Sequence, residues 1–288
     1  MAQTVKLSEL TNRKRKADQG GEASDESDID ISSSVDTSSS ESDEDGDSKE
    51  EIVNIDFDFF NGDPNVDFHA LKNLSRQLFG PQESNRIQLS KLADLILESP
   101  TTTIKTDGTE SDPYSFLSFI NYKENRDSDY ANYLRKVDPR LQTFLQTIDA
   151  NSDKSCALVI SERLINMPGE VVPPLYKVTL EDVTKTLGDD KHYDFYIIAS
   201  RKYEVNFDTD SDDDSDDGGA SAAHTRSKKR VKQVEVDYFH VEDRHFEENA
   251  KLKFQSDPRK GIINSYIVLD HSSLLKSIQD LEQEIHTW

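Results

Sequence analysis

The chain has 288 residues, 34% of them hydrophobic, and a formal net charge of −23. That charge disfavours direct binding to nucleic acid, whose phosphates need Lys and Arg to displace their counterions. A lone cysteine, Cys156, excludes an internal disulfide, and no Cys/His cluster has zinc-ligand spacing, so an intracellular protein without metal or cofactor is expected.

Charge is spread unevenly along the chain. Residues 19 to 51 hold 13 acids and one Lys, and residues 206 to 219 hold seven Asp and no base. These two segments contribute −12 and −7, leaving only −4 to the rest of the chain. Residues 1 to 51 are rich in Ser, Asp and Glu and lack hydrophobic periodicity, which predicts a disordered acidic tail. The folded domain is expected over 52 to 288, interrupted by a disordered insert at 206 to 232.

The first element expected is a strand. In "VNIDFDFF", Val53, Ile55, Phe57 and Phe59 alternate with Asn54, Asp56 and Asp58, the period of a half-buried strand. "DFHALKNLSRQLFG" then sets Phe68, Leu71, Leu74, Leu78 and Phe79 on one helical face, with Asp67 as N-cap and Gly80-Pro81 as the stop. "SKLADLILES" predicts a second helix, and "TTTIKT" and "YSFLSFINY" a pair of strands around the turn "DGTESDP".

Helices are predicted at "SDYANYLRKV", "DPRLQTFLQTI" and "PPLYKVTLEDVTKTL", with a buried strand at "SCALVIS". Two runs rich in aromatic and β-branched residues, 192 to 205 and 234 to 243, read as strands flanking the acidic insert. "INSYIVLD" predicts a last strand and "HSSLLKSIQDLEQEI" a capped amphipathic helix, with Leu274, Leu275, Ile278, Leu281 and Ile285 inward. Such a mixed order specifies a single α/β (α+β) domain with a central mixed sheet flanked by helices.

Several motifs bear on chemistry. "VNIDFDFF" resembles the first motif of haloacid-dehalogenase-type phosphatases, in which Asp56 would be the nucleophile and Asp58 its partner at a magnesium ion. Ser161, Lys177 or Lys185, and Asp189 with Asp194 follow in the order of the later motifs. That family's motif runs Asp-x-Asp-x-Thr, however, and Phe60 stands at the Thr position, while "TKTLGDD" is a helix end rather than a strand end. The alternating strand is the simpler account, and no enzyme is expected. An EF-hand reading of Asp208, Asp210 and Asp212 fails because Asp213 takes the place of the loop Gly and Gly219 that of the last Glu.

Asp208, Asp210, Asp212, Asp213, Asp214, Asp216 and Asp217 instead form a polyanion suited to contact with a basic client. Two basic runs, Arg13, Lys14, Arg15 and Lys16, and Arg226, Lys228, Lys229 and Arg230, fit nuclear localisation signals. They imply nuclear transport receptors as partners and a nuclear location with shuttling to the cytoplasm. Ser38, Ser40 and Ser42, like Ser27, Ser33, Thr209 and Ser211, have an acid three residues on, the pattern acidophilic kinases accept. Leu89, Leu92, Leu95 and Leu97 have the spacing of a leucine-rich export signal, which is also that of a core helix. No apolar stretch approaches the length of about 18 residues that a membrane span needs, and "MAQTVKLSELTNRKRK" lacks the apolar core of a signal peptide. A soluble protein with no membrane partner is therefore expected.

Longer stretches carry a more specific likeness. "VNIDFDFFNGDPNVDFHALKNLSRQLFG" after an acidic Ser-rich tail, "DPYSFLSFINY", "CALVISERLINMPGEVVPPLY" and "YDFYIIASRKY" before an acidic insert resemble the BCCIP family of eukaryotic nuclear proteins, its fungal branch above all. That resemblance implies a fold similar to the GCN5-related acetyltransferases without their active site. No Arg/Gln-x-x-Gly-x-Gly/Ala loop for acetyl-coenzyme A occurs in the sequence. It further implies a chaperone for a basic ribosomal protein of the large subunit, acting in 60S ribosome biogenesis, nuclear export and protein transport. No catalytic residue is implied.

Overall fold

Alternation of apolar residues on both faces of the strands requires cover on both sides of the sheet. The computed structural model, which describes residues 55–188, 191–206 and 234–288, has that architecture. Its strands are β1 (Asp58–Asn61), β2 (Thr101–Lys105), β3 (Ser115–Asn121), β4 (Cys156–Arg163), β5 (Phe195–Asn206), β6 (Val234–Tyr238), β7 (Leu252–Gln255) and β8 (Ile262–Asp270). Its helices are α1 (Phe68–Glu83), α2 (Leu89–Leu97), α3 (Asp129–Leu134), α4 (Pro139–Ala150), α5 (Val172–Leu187), α6 (Val241–Glu248) and α7 (His271–Ile285).

The strands form one sheet in the order β1-β2-β3-β4-β5-β8-β7, with β6 paired to the far half of β5. All neighbours are antiparallel except β4 and β5, which the crossover helix α5 connects in parallel. Phe116, Ile120, Leu158, Ile160, Ile197 and Val268 pack beneath α1 to α4. Their neighbours in sequence, Leu117, Phe119, Ala157, Val159, Ile198 and Ile267, pack beneath α5 to α7. The predicted α/β domain with a mixed central sheet is the observed one.

Local signals account for several helix ends. Pro139 opens α4 behind Asp138, whose carboxylate accepts from the Arg140 N–H at 2.7 Å. Asp270 caps α7 by accepting from the Ser273 N–H at 2.8 Å. The Gly80-Pro81 stop is a break inside α1, where Gly80 adopts φ 66° and ψ 172° before the chain resumes a last turn.

Other expectations are corrected. Asp67 makes no side-chain cap; it is wholly buried, 2.7 Å from Lys105 Nζ, and accepts from the Asp63 N–H at 2.8 Å. Burial raises its pKa despite those partners. Strand β1 begins only at Asp58; the expected alternation holds from the exposed Asp56 through the buried Phe57 and Phe59, but Ile55 is exposed and Phe60 is buried, and Val53 and Asn54 lie outside the described residues. The run 234 to 243 is strand only to Tyr238, and its "VED" opens α6. Leu275 faces solvent on α7, and the short strand β7 had no signal strong enough to read. The 1 to 51 tail and nearly all of the 206 to 232 insert lie outside the described residues.

Gly80 gives a direct test. A Cβ there would meet no atom within 4 Å, so only its backbone conformation, which L side chains rarely adopt, selects glycine. Gly80→Ala should destabilise the domain by about 1–3 kcal/mol, read as a lower midpoint in urea unfolding. An unchanged midpoint would show that the backbone relaxes there without cost.

Candidate functional site

Parallel strands β4 and β5 pair only from Cys156↔Phe195 to Val159↔Ile198. Beyond that point β4 continues beside β3 as far as Arg163↔Ser115, while β5 turns to β8 and, from Lys202, to β6. A wedge opens at the carboxyl end of β4, the kind of place where α/β sheets commonly hold ligands. Here the wedge is filled by the protein's own charged side chains.

Glu162, 1% exposed, lies at its centre. Its Oε1 accepts from Gln77 Nε2 of α1 at 3.2 Å and from the Arg163 N–H at 3.0 Å, and it contacts His240 Nε2. Its Oε2 stands 3.9 Å from the Arg201 guanidinium. Arg201 lies over the Phe239 ring at 3.9 Å and donates to the Gln77 carbonyl. Arg163 grips both oxygens of Glu242 at 3.2 and 3.1 Å and donates to the Met167 carbonyl at 2.6 Å. Ser200 donates to Asp243 at 2.7 Å. One turn further along α6, Glu247 accepts from Lys202 at 2.9 Å and from the Tyr238 hydroxyl at 3.1 Å.

Burial sets the protonation of this cluster. It pushes Asp243 up to about 7, helped by the negative charge of Glu242. Burial alone would lower His240, but its hydrogen bond to Glu162 and the surrounding carboxylates raise it. The same burial would raise Glu242, yet Arg163 and His240 hold it below the usual carboxylate range. The Arg163 guanidinium is thus committed to internal partners and has no fork left for a phosphate or carboxylate ligand, whereas Arg201 donates to the Gln77 carbonyl and lies on Phe239 with its buried Nε left without a hydrogen-bond partner.

The helix that follows β4 has a second obstacle to anion binding. A helix N-terminus holds anions through its free N–H groups. Helix α5 has Pro173 and Pro174 in its first turn, which removes two of those donors.

The residues of the phosphatase reading do not converge. Asp56 precedes edge strand β1 instead of ending a strand. By the strand register it lies at the Arg163 end of the sheet, whereas Asp194 precedes β5 at the opposite, Cys156 end. Asp194 binds Lys154 at 3.0 Å and the Ser155 N–H at 2.8 Å. Lys177 pairs with Glu282 at 2.7 Å, Lys185 with Asp182 at 3.0 Å, and Ser161 donates to the Phe116 carbonyl at 3.2 Å. Asp189 lies outside the described residues. Cys156 is sealed in the core, where burial pushes its thiol pKa up, away from nucleophilic use.

Leu89, Leu92 and Leu95 are buried and Leu97 packs against the same core, so in the folded domain they serve α2 packing. Arg13 to Lys16, Arg226 to Arg230, the seven Asp of the insert, and Ser38, Ser40 and Ser42 all lie outside the described residues. Among the described residues no three His, Cys, Asp or Glu side chains are placed to hold a metal ion, and no helix is long and apolar enough to cross a membrane. What the sequence reading missed is the wedge itself. Its only signal was the ionic residues Glu162, Arg163, Arg201 and Lys202 within otherwise apolar strand runs.

A family model for BCCIP matches residues 52–246. The chain belongs to the BCCIP family. It is 66% identical over 288 residues to Protein BCP1 of Saccharomyces cerevisiae and 63% identical over 289 residues to Protein BCP1 of Candida glabrata, with full coverage of both chains in each case. The crystal structure of BCP1 from Saccharomyces cerevisiae superposes with a TM-score of 0.70 at 62% identity, covering 86% of this chain and 96% of that one. The BCCIP match begins at Ile52, next to the end of the acidic tail at Glu51, and includes Glu162, Arg201, His240 and Asp243 of the wedge.

The wedge ties stability to pH. Asp243 keeps its proton to about 7 when folded, against an ordinary value of 3.8, so stability present at low pH is lost as pH rises through that window. His240, raised from 6.5, acts in the same direction, contributing below its ordinary value and losing that contribution as pH rises through its folded one. The Tm should therefore fall from about pH 4 to about pH 7 through Asp243 and fall further above about pH 6.5 through His240, and Asp243→Asn, which still accepts from Ser200, should flatten the part between about pH 4 and about pH 7. Scanning calorimetry across the range checks it; an identical slope in the variant would place the titration elsewhere.

Proposed function

We propose that this BCCIP-family protein is a non-enzymatic nuclear escort for a basic ribosomal protein of the large subunit, acting in 60S ribosome biogenesis, nuclear export and protein transport. The observation that carries the reading is the charge distribution, with −19 of the −23 in residues 19 to 51 and 206 to 219. A polyanion of this kind competes with nucleic acid for the basic surface of such a client and raises the rate of encounter. The basic runs at Arg13 to Lys16 and Arg226 to Arg230 provide for import by nuclear transport receptors. Phosphorylation at Ser38, Ser40 or Ser42 would add about −1.5 to −2 charge per site and strengthen the attraction.

The folded domain supports the same reading. The wedge between β4 and β5, a natural ligand crevice, is closed by buried ion pairs, and α5 lacks N–H donors where a cofactor phosphate would dock. Calorimetry with acetyl-coenzyme A should therefore give no binding heat, and a binding isotherm would revive an acetyltransferase. Likewise, purified protein should not hydrolyse p-nitrophenyl phosphate with magnesium; hydrolysis abolished by Asp56→Asn would revive the phosphatase.

The escort role is tested by neutralising residues 208 to 217 and the acids of 19 to 51 to Asn and Gln, then recovering the protein from cells at low and high salt. The intact chain should retain highly basic ribosomal proteins at low salt and lose them as salt rises, and the neutralised chain should bind them about tenfold or more weakly. Unchanged capture with unchanged salt dependence would overturn the role of these segments.

A further inference from the structure

Two of the large hydrophobic side chains that remain exposed among the described residues line one groove, and a third, Ile165, belongs to the same loop as its lining residues Asn166 and Met167. Ile55 is 43% exposed, Tyr114 37% and Ile165 66%, whereas Val236, Leu252, Leu275 and Trp288 lie on other elements. Ile55 and Tyr114 line a groove of about 460 Å³ at the carboxyl end of β4, with Phe57 and Met167 also in its wall, and Ile165 is two residues from Met167 in the chain. That volume falls within the range of about 300–1,000 Å³ typical of binding clefts. Exposed apolar groups gathered at a concave site mark an interaction surface more often than a solvated face.

The electrostatics of the groove select the partner. Asp56 and Asp107 are among its lining residues and no Lys or Arg is. Glu110 and Asp112, both exposed, belong to the same β2–β3 loop as Asp107. The nearby cations are turned inward. Lys105 is buried on Asp67 at 2.7 Å and donates to the Thr109 carbonyl at 2.5 Å, which anchors that loop from below. Arg163 is held on Glu242 and on the carbonyl of Met167. In the sequence, the acidic segment of residues 19 to 51 ends four positions before Ile55.

We infer that this groove is the contact face for a basic protein segment carrying a bulky apolar side chain, which inserts against Ile55, Tyr114 and Met167 while flanking Lys or Arg residues meet Asp107 and the acidic β2–β3 loop. The inference rests on the escort reading and adds to it a place and a specificity. Long-range attraction by the acidic segments brings any cation, whereas burial of an apolar anchor distinguishes one basic segment from another.

The test uses the full chain and two fluorescein-labelled lysine-rich peptides of equal length and charge, one with Phe and Leu at alternate positions and the other with Ser. Fluorescence anisotropy should show the apolar peptide binding roughly tenfold more tightly, the worth of burying one large side chain. The exposed-site double variant Ile55→Ser with Ile165→Ser should lose that preference while binding the Ser peptide unchanged, and Leu275→Ser, on α7, should keep it. A photo-reactive Phe analogue in the apolar peptide should cross-link to residues 55–57, 106–114 or 165–167. Equal binding of the two peptides, a preference that survives the double variant, or cross-links confined to other surfaces would overturn the groove. If the intact chain binds both alike and loses both when the acidic segments are neutralised, the groove falls and the escort reading stands. If it binds neither, both fall.

Discussion

The buried Glu162 carboxylate is the interaction on which the carboxyl end of the sheet depends. Where β4 and β5 part, a gap between strands would leave buried polar groups without partners, and each such group costs as much as a lost hydrogen bond or more. Glu162 spans the gap by meeting α1 through Gln77, β5 through Arg201 at ion-pair distance and the start of α6 through His240, while its Oε2 and the Arg201 Nε remain without a hydrogen-bond partner. Arg163 beside it holds α6 through Glu242 and the loop after β4 through the Met167 carbonyl. Four separate segments therefore take their positions from two adjacent residues. Removing charges from water is costly, so a buried network of this kind returns little net stability. Its contribution here is positional: α6 has only Val241 and Phe246 as apolar residues, too few to dock it by hydrophobic burial alone.

The same logic recurs at the edge of the sheet. Lys105 ends β2 with its ammonium buried, and Asp67 and the Thr109 carbonyl receive it. That pair fixes the entry to α1 and the acidic loop after β2, which lies beside the groove that Tyr114 and Met167 help to form. The surface groove and the closed wedge thus follow one arrangement, in which the cations near β4 are drawn inward onto buried acids while Asp107, Glu110 and Asp112 remain outside.

Much of the fold was legible because the strands and most helices carry the periods that burial imposes. "YSFLSFINY" and "SCALVIS" show apolar residues at consecutive positions, the mark of a strand covered on both faces, and α1, α2 and α7 show stripes at helical spacing. Legibility failed where charge rather than apolar burial decides structure. "VEDRHFEE" has no apolar stripe, so the expected strand 234 to 243 overlaps its first three residues, and its helical state becomes evident only once Arg163 and Lys202 are in place. Asp67 precedes a helix as an N-cap does, but its partner lies 38 residues away across the sheet, beyond any local rule. Leu275 extended the stripe of α7 by one position too many because a single helix cannot reveal how far its neighbours reach. The groove was illegible for the same reason: Ile55, Tyr114 and Met167 come from three separate loops, and only strand pairing brings them together.

A segment with net charge −12 attracts any strongly basic surface, and attraction that falls off over a Debye length carries no register. Specific escort requires a short-range element that one basic segment satisfies and another does not. The interior of this domain cannot supply it, since its wedge is occupied and its buried guanidinium groups are paired. The proposed groove places that element on the outside, where apolar and acidic groups stand side by side. Under the proposed escort role, capture and selection would be separate physical tasks assigned to separate parts of the molecule: the acidic segments would set how fast a cationic partner arrives and how strongly salt opposes it, and the groove would set which partner stays.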